Sequence, residues 1–123
     1  MSSTNPLSHE SLALFCANAA LDKKAENLVI LDLRGVSTFT DFFVICSGNS
    51  EPHLKAIASE IQDQLREKHQ THPLRVDGIP YSQWVIVDLG DVLVHIFHND
   101  KRSLYALEDL WGDVPRIPVP SAP

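Results

Sequence analysis

The feature that most constrains the fold is the run WVIVDLGDVLVHIF at residues 84–97, in which Gly90 and Asp91 separate two apolar segments. Aliphatic and β-branched side chains favour strands. A connection of about two residues that contains glycine is typical of a hairpin, although Gly-Asp is a less usual order than Asp-Gly. We therefore predict two antiparallel strands, WVIVDL and VLVHIF, and a β-sheet that contains them.

Three further segments have the composition of strands. LVILDLR at residues 28–34 and DFFVICSG at residues 41–48 are short apolar runs, as expected of buried strands. LRVDG at residues 74–78 is a shorter candidate. Together with the hairpin, these segments predict a sheet of about five strands.

Apolar residues at helical spacing predict three helices. The first begins after Ser8 and ends near residues 23 and 24, and the second begins after Ser50. The third is SLYALEDLW at residues 103–111, with Asn99 or Asp100 as its cap. The order helix, strand, strand, helix, three strands and helix predicts an α/β fold, in which helices cover a mixed β-sheet.

The length and composition of the chain suit one domain. With 123 residues, of which 44% are hydrophobic, the chain can bury one ordinary core. We predict a single domain at residues 1–114. We expect residues 115–123, PRIPVPSAP, to form a disordered tail, because so many prolines cannot pack as an element.

Targeting signals and the cysteines bear on where the protein works. The N-terminal MSSTNPLSHESL has no positively charged region followed by an apolar run, and no stretch reaches the roughly 18 residues of a membrane span. Cys16 and Cys46 lie in apolar settings without a CxxC spacing, which indicates reduced, buried thiols. We therefore expect a cytoplasmic protein with no membrane partner.

The charge balance limits the class of partner. The chain has 10 basic and 16 acidic residues, which gives a formal net charge of −6. A body of this sign is repelled by phosphate backbones and by anionic lipid surfaces. We therefore expect that the protein does not read nucleic acid directly. If its partner is a nucleoprotein, we expect it to bind a basic component of that partner.

His95 and His98 look at first like a metal site. Successive side chains of a strand point to opposite faces, so these two histidines are expected to point apart unless the strand ends or bulges between them. A zinc site usually has more than one paired ligand spacing. We interpret His95 as a structural histidine of the sheet, with the intermediate burial usual for histidine, whose ring bonds a carbonyl or carboxylate, and we expect no metal or other cofactor.

SGNS at residues 47–50 lies between a predicted strand and a predicted helix, where backbone amides can hold a phosphate. It has one glycine and no following lysine, so a tight turn with Ser50 as helix cap explains it better. The alternative function is a nucleotide-binding enzyme of nucleotidyltransferase type, with SGNS on the phosphates and Asp88 or Asp91 on Mg²⁺. We expect no enzyme activity, because a long helix follows the turn where such enzymes need a strand with a carboxylate pair.

Large aromatic residues lie close to acidic ones in the second half of the chain. Trp84 stands at the mouth of the predicted hairpin, near its carboxylates, and Tyr105 lies off the apolar stripe of the last predicted helix. Aromatic residues are common anchors of protein interfaces. This grouping predicts a docking surface for a basic protein.

Three separated motifs, TDFFVICSGNS with its following helix, WVIVDLGDVLVHIF and RSLYALEDLW, resemble the Iojap family of ribosomal silencing factors in order and spacing. The resemblance runs from about Leu28 to Trp111. It implies a mixed α/β domain with a nucleotidyltransferase-like shape but without that activity. The positions that match the family pattern are Asp41, Gly48, Ser50, Trp84, Asp88, Gly90, Asp91, His95, Arg102, Tyr105, Glu108 and Trp111.

The resemblance also implies a partner. Such factors bind the fourteenth protein of the large (50S-type) ribosomal subunit, and their bulk prevents the small subunit from joining, which represses translation under nutrient limitation. An exposed sheet edge or apolar patch would also support a homodimer. The residues that we expect to bind the ribosomal protein are Trp84 and Tyr105, through apolar contact, and Asp91, Glu108 and Asp109, through ion pairs.

Overall fold

The computed structural model describes residues 8–79, 83–99 and 113–119. These residues form two helices and a six-stranded sheet. The helices are α1 (His9–Asp22) and α2 (Glu51–His69). The strands are β1 (Glu26–Asp32), β2 (Phe42–Gly48), β3 (Arg75–Ile79), β4 (Trp84–Asp88), β5 (Val92–His98) and β6 (Arg116–Ile117). The predicted helix at residues 103–111 lies outside the described ranges.

The sheet is mixed. Its strand order is β3-β4-β5-β2-β1-β6, and β2 pairs with β5 in parallel while the other four pairings are antiparallel. A parallel pair needs a long crossover, which here consists of α2 and the β3–β4 pair. The predicted α/β class and the antiparallel β4–β5 hairpin are thus confirmed. The nucleotidyltransferase-like shape stays a prediction.

Both described helices begin at the predicted serines. The Ser8 hydroxyl accepts a hydrogen bond from the backbone N–H of Ser11, and the Ser50 hydroxyl accepts one from the N–H of His53, each at 3.1 Å. These bonds satisfy N–H groups that have no partner inside the helix. Neither described helix has the length and apolar character to span a membrane.

The sheet has two differently covered faces. On the first face, Phe42, Val44 and Cys46 of β2 pack with α1 and α2 in the main core. The opposite side, which we call the second face, has its own cluster of buried and partly buried side chains. The members of this cluster are Leu31, Leu33, Phe43, Ile45, Phe97, Val29, Trp84, Leu93 and Val114.

Both cysteines are buried, as predicted. Burial raises the pKa of the Cys16 thiol to about 12, because the apolar surroundings disfavour the thiolate. A thiol in this state is a poor nucleophile.

The prediction of a tail without secondary structure at residues 115–123 is wrong at Arg116 and Ile117, which form a strand beside β1. Ile117 pairs with Ile30, and the carbonyl of Pro115 accepts a hydrogen bond of 2.8 Å from the N–H of Asp32. Proline is tolerated on an edge strand, where one side of the ladder needs no donor. The sheet therefore has six strands over the described residues, where five were predicted.

Strand β1 ends at Asp32, two residues before the predicted end. The Asp32 carboxylate accepts a hydrogen bond of 3.1 Å from the backbone N–H of Arg34 and pairs with the Arg34 guanidinium at 2.7 Å. This side-chain bond to the backbone two residues on favours a turn over an extended strand. The guanidinium also holds the pKa of the Asp32 carboxyl below its usual value.

Candidate functional site

Trp84 lies at the start of β4, on the second face of the sheet. It is directly opposite Phe97 in the antiparallel β4–β5 pair, so the two side chains share a face. Their rings stack with centroids 5.0 Å apart and planes inclined by 29°. The indole Nε1–H donates a hydrogen bond of 3.3 Å to Nδ1 of His95. Trp84 is half-buried, so part of the residue meets solvent.

His95 is a core residue, with 5% of its surface exposed. Its ring and the ring of Phe43 meet edge to face, with centroids 4.6 Å apart. Burial lowers the pKa of His95 to about 4, so the imidazole is neutral at pH 7. His95 is thus more deeply buried than the predicted intermediate burial, and the predicted carbonyl or carboxylate partner is wrong, because Nδ1 bonds the indole of Trp84.

The hydrogen bond from Trp84 fixes the tautomer of His95. A neutral imidazole has one N–H and one acceptor nitrogen. Because Nδ1 accepts, the proton lies on Nε2. This Nε2–H is buried and has no hydrogen-bond partner among the described residues.

His95 and His98 do not form a metal site. The β2–β5 register is continuous from Val92 to His98, without a bulge, so the two side chains point to opposite faces as predicted. His98 is half-buried, whereas His95 lies in the second-face core. Within the described ranges, neither histidine belongs to a group of potential metal ligands.

The described potential metal-ligand group is His9, Asp41 and Asp91. Nδ1 of His9 lies 2.5 Å from an Asp41 carboxylate oxygen, and Nε2 lies 3.0 Å from one of Asp91. Each of the two carboxylates lies against a different nitrogen of this ring, so the three side chains contact one another directly.

The sequence prediction missed His9. The pattern around Ser8 predicted a helix start, and His9 is the first residue of that helix. No local spacing links His9 to Asp41 or Asp91, because the three residues come from α1, the β1–β2 loop and the β4–β5 turn. Only the packing of these three segments brings the side chains together.

The predicted site residues Trp84 and Asp91 lie at opposite ends of the β4–β5 hairpin. Trp84 pairs with Phe97 at the open end, whereas Asp91 lies in the turn. At about 3.3 Å per strand residue, they are separated by roughly 15–20 Å. The structure therefore does not bring them into one contact. The other predicted site residues, Tyr105, Glu108 and Asp109, lie outside the described residues.

SGNS forms a helix-capping turn, as predicted. His53 Nδ1 accepts the backbone N–H of Asn49 at 3.0 Å, so its Nε2–H donates to the carbonyl of Lys23 at 2.7 Å. A Cβ added to Gly48 would lie 2.8 Å from a methyl of Leu54 and 2.9 Å from Nδ1 of His53, so a side chain at this position would displace the ring that accepts the Asn49 N–H. The amide of Asn49 is engaged within the protein and does not point at a ligand.

The parts of the alternative nucleotide site are also far apart. SGNS follows β2 at the end where Gly48 pairs with His98, whereas Asp88 and Asp91 flank the start of β5. That strand length corresponds to about 20 Å. The Asp88 carboxylate accepts the N–H of Gly90 at 2.9 Å. The described residues therefore do not assemble phosphate ligands and Mg²⁺ ligands in one place.

A groove of about 270 Å³ lies beside Trp84, between α2 and the β3–β4 pair. Its lining includes a polar group on α2 and an apolar group from α2, β3 and β4. The polar group is Glu51, Lys55, Ser59 and Gln62, and the apolar group is Leu54, Ala58, Val76 and Val85. Val76 is 40% exposed and pairs with Val87 of the main core, so this groove lies on the first face, on the other side of the sheet from the Trp84 ring.

Comparison with known families and proteins gives a consistent result. The family described as "Ribosomal silencing factor during starvation" matches residues 6–123. The ribosomal silencing factor RsfS of Halalkalibacterium halodurans is 44% identical over 111 residues, which cover 90% of this chain and 94% of the relative. RsfS of Bacillus subtilis is 46% identical over 109 residues, which cover 89% of this chain and 92% of the relative.

Plant relatives and solved structures extend the match. The chloroplastic Iojap protein of Zea mays is 36% identical over 110 residues, which cover 89% of this chain and 47% of the relative. A crystal structure of a Bacillus halodurans protein has a TM-score of 0.75 and 42% identity, and covers 89% of this chain and 99% of its own. The family match and these relatives span nearly the whole chain, so the chain belongs to the Iojap family of ribosomal silencing factors.

Proposed function

We propose that this protein binds the fourteenth protein of the large ribosomal subunit and sterically prevents the small subunit from joining, and that it represses translation in this way when nutrients are limiting. The observation that carries the proposal is the match to ribosomal silencing factors along nearly the whole chain. The family name indicates a regulatory factor that acts on the ribosome rather than an enzyme. The specific partner and the steric mechanism come from the resemblance of the motifs.

Trp84 is the proposed anchor of the docking surface. Its ring is held by Phe97 and His95 on the second face, yet part of the residue meets solvent. Large aromatic residues with restricted motion are frequent hot spots, because binding them removes much apolar surface from water and costs little side-chain entropy. The geometry therefore supports the open end of the β4–β5 hairpin as the centre of the interface.

The charge of the protein supports a basic partner. A net charge of −6 favours approach to a basic ribosomal protein and disfavours direct contact with ribosomal RNA. Asp91 is exposed but already pairs with His9, at the far end of the hairpin from Trp84. We propose Asp91 as a contact at the margin of the interface, and Tyr105, Glu108 and Asp109 as further contacts from the motif that follows β5.

The proposal is tested by co-sedimentation with isolated large subunits at moderate salt. Trp84→Ala and Glu108→Lys should each weaken binding by more than about 1 kcal/mol, as expected for interface residues. Phe15→Ala is a matched control, because Phe15 is a half-buried aromatic residue that packs on His69, away from the second face. This control should pellet like the parent.

Two results would count against the proposal. If the parent protein does not pellet with large subunits, binding to the ribosome is wrong. If the parent pellets and both site variants pellet equally well, the function stands but the assigned surface is wrong. Repeating the assay with large subunits that lack the fourteenth protein tests the named partner, and retained binding would exclude it.

A further inference from the structure

The hydrogen bond between Trp84 and His95 joins the proposed anchor to a buried polar ring. We propose that His95 is a positioning residue of the docking surface: it accepts the indole N–H of Trp84, so that Trp84 meets the partner with its ring surface and not with its hydrogen-bond donor. This inference rests on the proposed function, because it assigns a role within the same surface. The inference explains how Trp84 is oriented and which chemical groups of the partner can bind against it.

The indole of Trp84 is held from two directions. Phe97 lies against its ring at 5.0 Å, and Nδ1 of His95 lies 3.3 Å from its Nε1. The first contact restrains the ring plane, and the second restrains rotation of the ring within that plane. An anchor whose two side-chain torsions are already restrained loses less entropy when the partner binds.

His95 is itself well restrained. It lies within the continuous β4–β5–β2 ladder, opposite Ile86 on one side and Ile45 on the other. Its ring packs edge to face with Phe43 at 4.6 Å and lies parallel to Phe97 at 6.2 Å. Because burial lowers its pKa to about 4, Nδ1 keeps the lone pair that accepts the indole N–H at neutral pH.

Packing alone gives a poor reason for a histidine in this place. The Nε2–H of His95 is buried and has no hydrogen-bond partner among the described residues. A buried donor without a partner costs stability, and an apolar residue of similar size would avoid that cost. The one hydrogen bond that its side chain makes among the described residues is to Trp84, so a role in orienting Trp84 explains the polar ring.

The bond also defines the chemistry of the partner group. Because the indole N–H is used within the protein, the groups that suit Trp84 are aliphatic or aromatic side chains, or a Lys or Arg cation over the ring face. A carboxylate or carbonyl that needs a donor does not suit it. A cationic group agrees with the basic partner expected from the net charge of −6.

A double-mutant cycle tests this role in the full-length protein. The four forms are the parent, Trp84→Phe, His95→Leu and the double variant, each measured for affinity to isolated large subunits. Phenylalanine keeps a ring at residue 84 but removes the N–H. We expect His95→Leu to weaken binding about threefold to tenfold in the parent and to have no further effect beside Trp84→Phe. A purely structural role of His95 would weaken both backgrounds equally.

A second readout reports the hydrogen bond in the unbound protein. In ¹⁵N-labelled protein, the indole signal of Trp84 is the one that Trp84→Phe removes, while that of Trp111 remains. We expect the Trp84 N–H to exchange slowly with solvent in the parent, and faster in His95→Leu. His95→Gln keeps an acceptor oxygen, so it should restore part of the protection and part of the affinity.

The outcomes separate this inference from the proposed function. If Trp84→Ala weakens ribosome binding but His95→Leu does not, or if the exchange of the Trp84 N–H is the same in the parent and in His95→Leu, the positioning role is wrong and the docking surface stands. If Trp84→Ala binds like the parent, the proposed surface itself fails. Thermal unfolding of each variant identifies a folding defect, and His95→Gln then provides the decisive comparison.

Discussion

The two ends of the β4–β5 hairpin differ in chemistry. At the open end, Trp84, His95 and Phe97 form a packed aromatic group on the second face, with a neutral imidazole at its centre. At the turn end, Asp91 belongs to a charged cluster with His9, in which the two side chains are 57% and 45% exposed. One hairpin therefore carries an apolar, ordered end and a charged, hydrated end.

This difference indicates where stability and binding energy reside. Burial of a large apolar side chain contributes about 1.5–3 kcal/mol, whereas an exposed ion pair contributes about 0–1 kcal/mol and is screened by salt. The open end should thus dominate both the folding energy and the affinity for a partner. The turn end should mainly influence the rate and salt dependence of association.

The largest effect is expected at the core of the open end. Phe97 is 1% exposed and packs against Trp84, so Phe97→Ala should lower the free energy of unfolding by about 3–5 kcal/mol through lost burial and a residual cavity. Urea unfolding followed by far-UV circular dichroism measures this change. Val36→Ala is the control, because Val36 is 57% exposed and its loss should change stability by less than about 0.5 kcal/mol. Equal effects of the two variants would contradict the proposed difference between ordered and exposed regions.

The next largest effect is expected on the free energy of unfolding at acidic pH. The unfolded imidazole of residue 95 takes up a proton near the ordinary pKa of 6.5, whereas the buried one does so only near pH 4. As the pH falls from about 6.5 to 4, protons therefore bind the unfolded chain preferentially, and the His95 contribution lowers the free energy of unfolding by up to about 3 kcal/mol. Urea unfolding at pH 7 and pH 4.5 measures the loss. His95→Gln should show a smaller loss, and an identical pH dependence in parent and variant would contradict the burial argument.

A smaller effect is expected on the affinity for large subunits, and it should differ between the open end and the turn of the hairpin. Trp84→Ala should weaken binding to large subunits by more than about 1 kcal/mol, whereas Asp91→Ala should change it by less than that and lower its salt dependence. Titrations at two salt concentrations measure both quantities. A larger loss for Asp91→Ala than for Trp84→Ala would move the centre of the interface to the turn.

The smallest effect is expected for the charged cluster in folding. His9→Ala removes the pairs to Asp41 and Asp91, but all three side chains are partly or largely exposed, so the free energy of unfolding should fall by no more than about 1 kcal/mol. High salt should reduce the difference between variant and parent, because it screens exposed charges. Urea unfolding at low and high ionic strength tests this. A loss of several kcal/mol that salt does not change would show that the cluster is a structural centre.

The sequence predicted those parts of the fold that local patterns determine. The β4–β5 hairpin, the cap of α2 at Ser50 and the opposite directions of His95 and His98 follow from residue composition and from the period of the strand. Strand β6 could not be predicted, because two residues between prolines become extended only through pairing with β1. A local pattern contains no information on a partner strand so far away in the chain.

For the candidate site, the sequence identified single residues but not the contacts between them. Trp84 was identified because it is a large aromatic residue close to acidic ones, and aromatic residues are common anchors of protein interfaces. Its bond to His95 needs the register in which Trp84 faces Phe97, and the His9 cluster needs three distant segments to meet. The sequence pattern also grouped Trp84 with Asp91. The structure places these two residues at opposite ends of the β4–β5 hairpin.

The most direct test of the central claim is the joining of small and large ribosomal subunits, followed by light scattering. With a saturating amount of the parent protein bound to large subunits, addition of small subunits should give little increase in scattering, and Trp84→Ala at the same concentration should allow the subunits to join. If the parent protein binds large subunits and the scattering still rises as in its absence, the proposal that it silences ribosomes by blocking subunit joining is wrong.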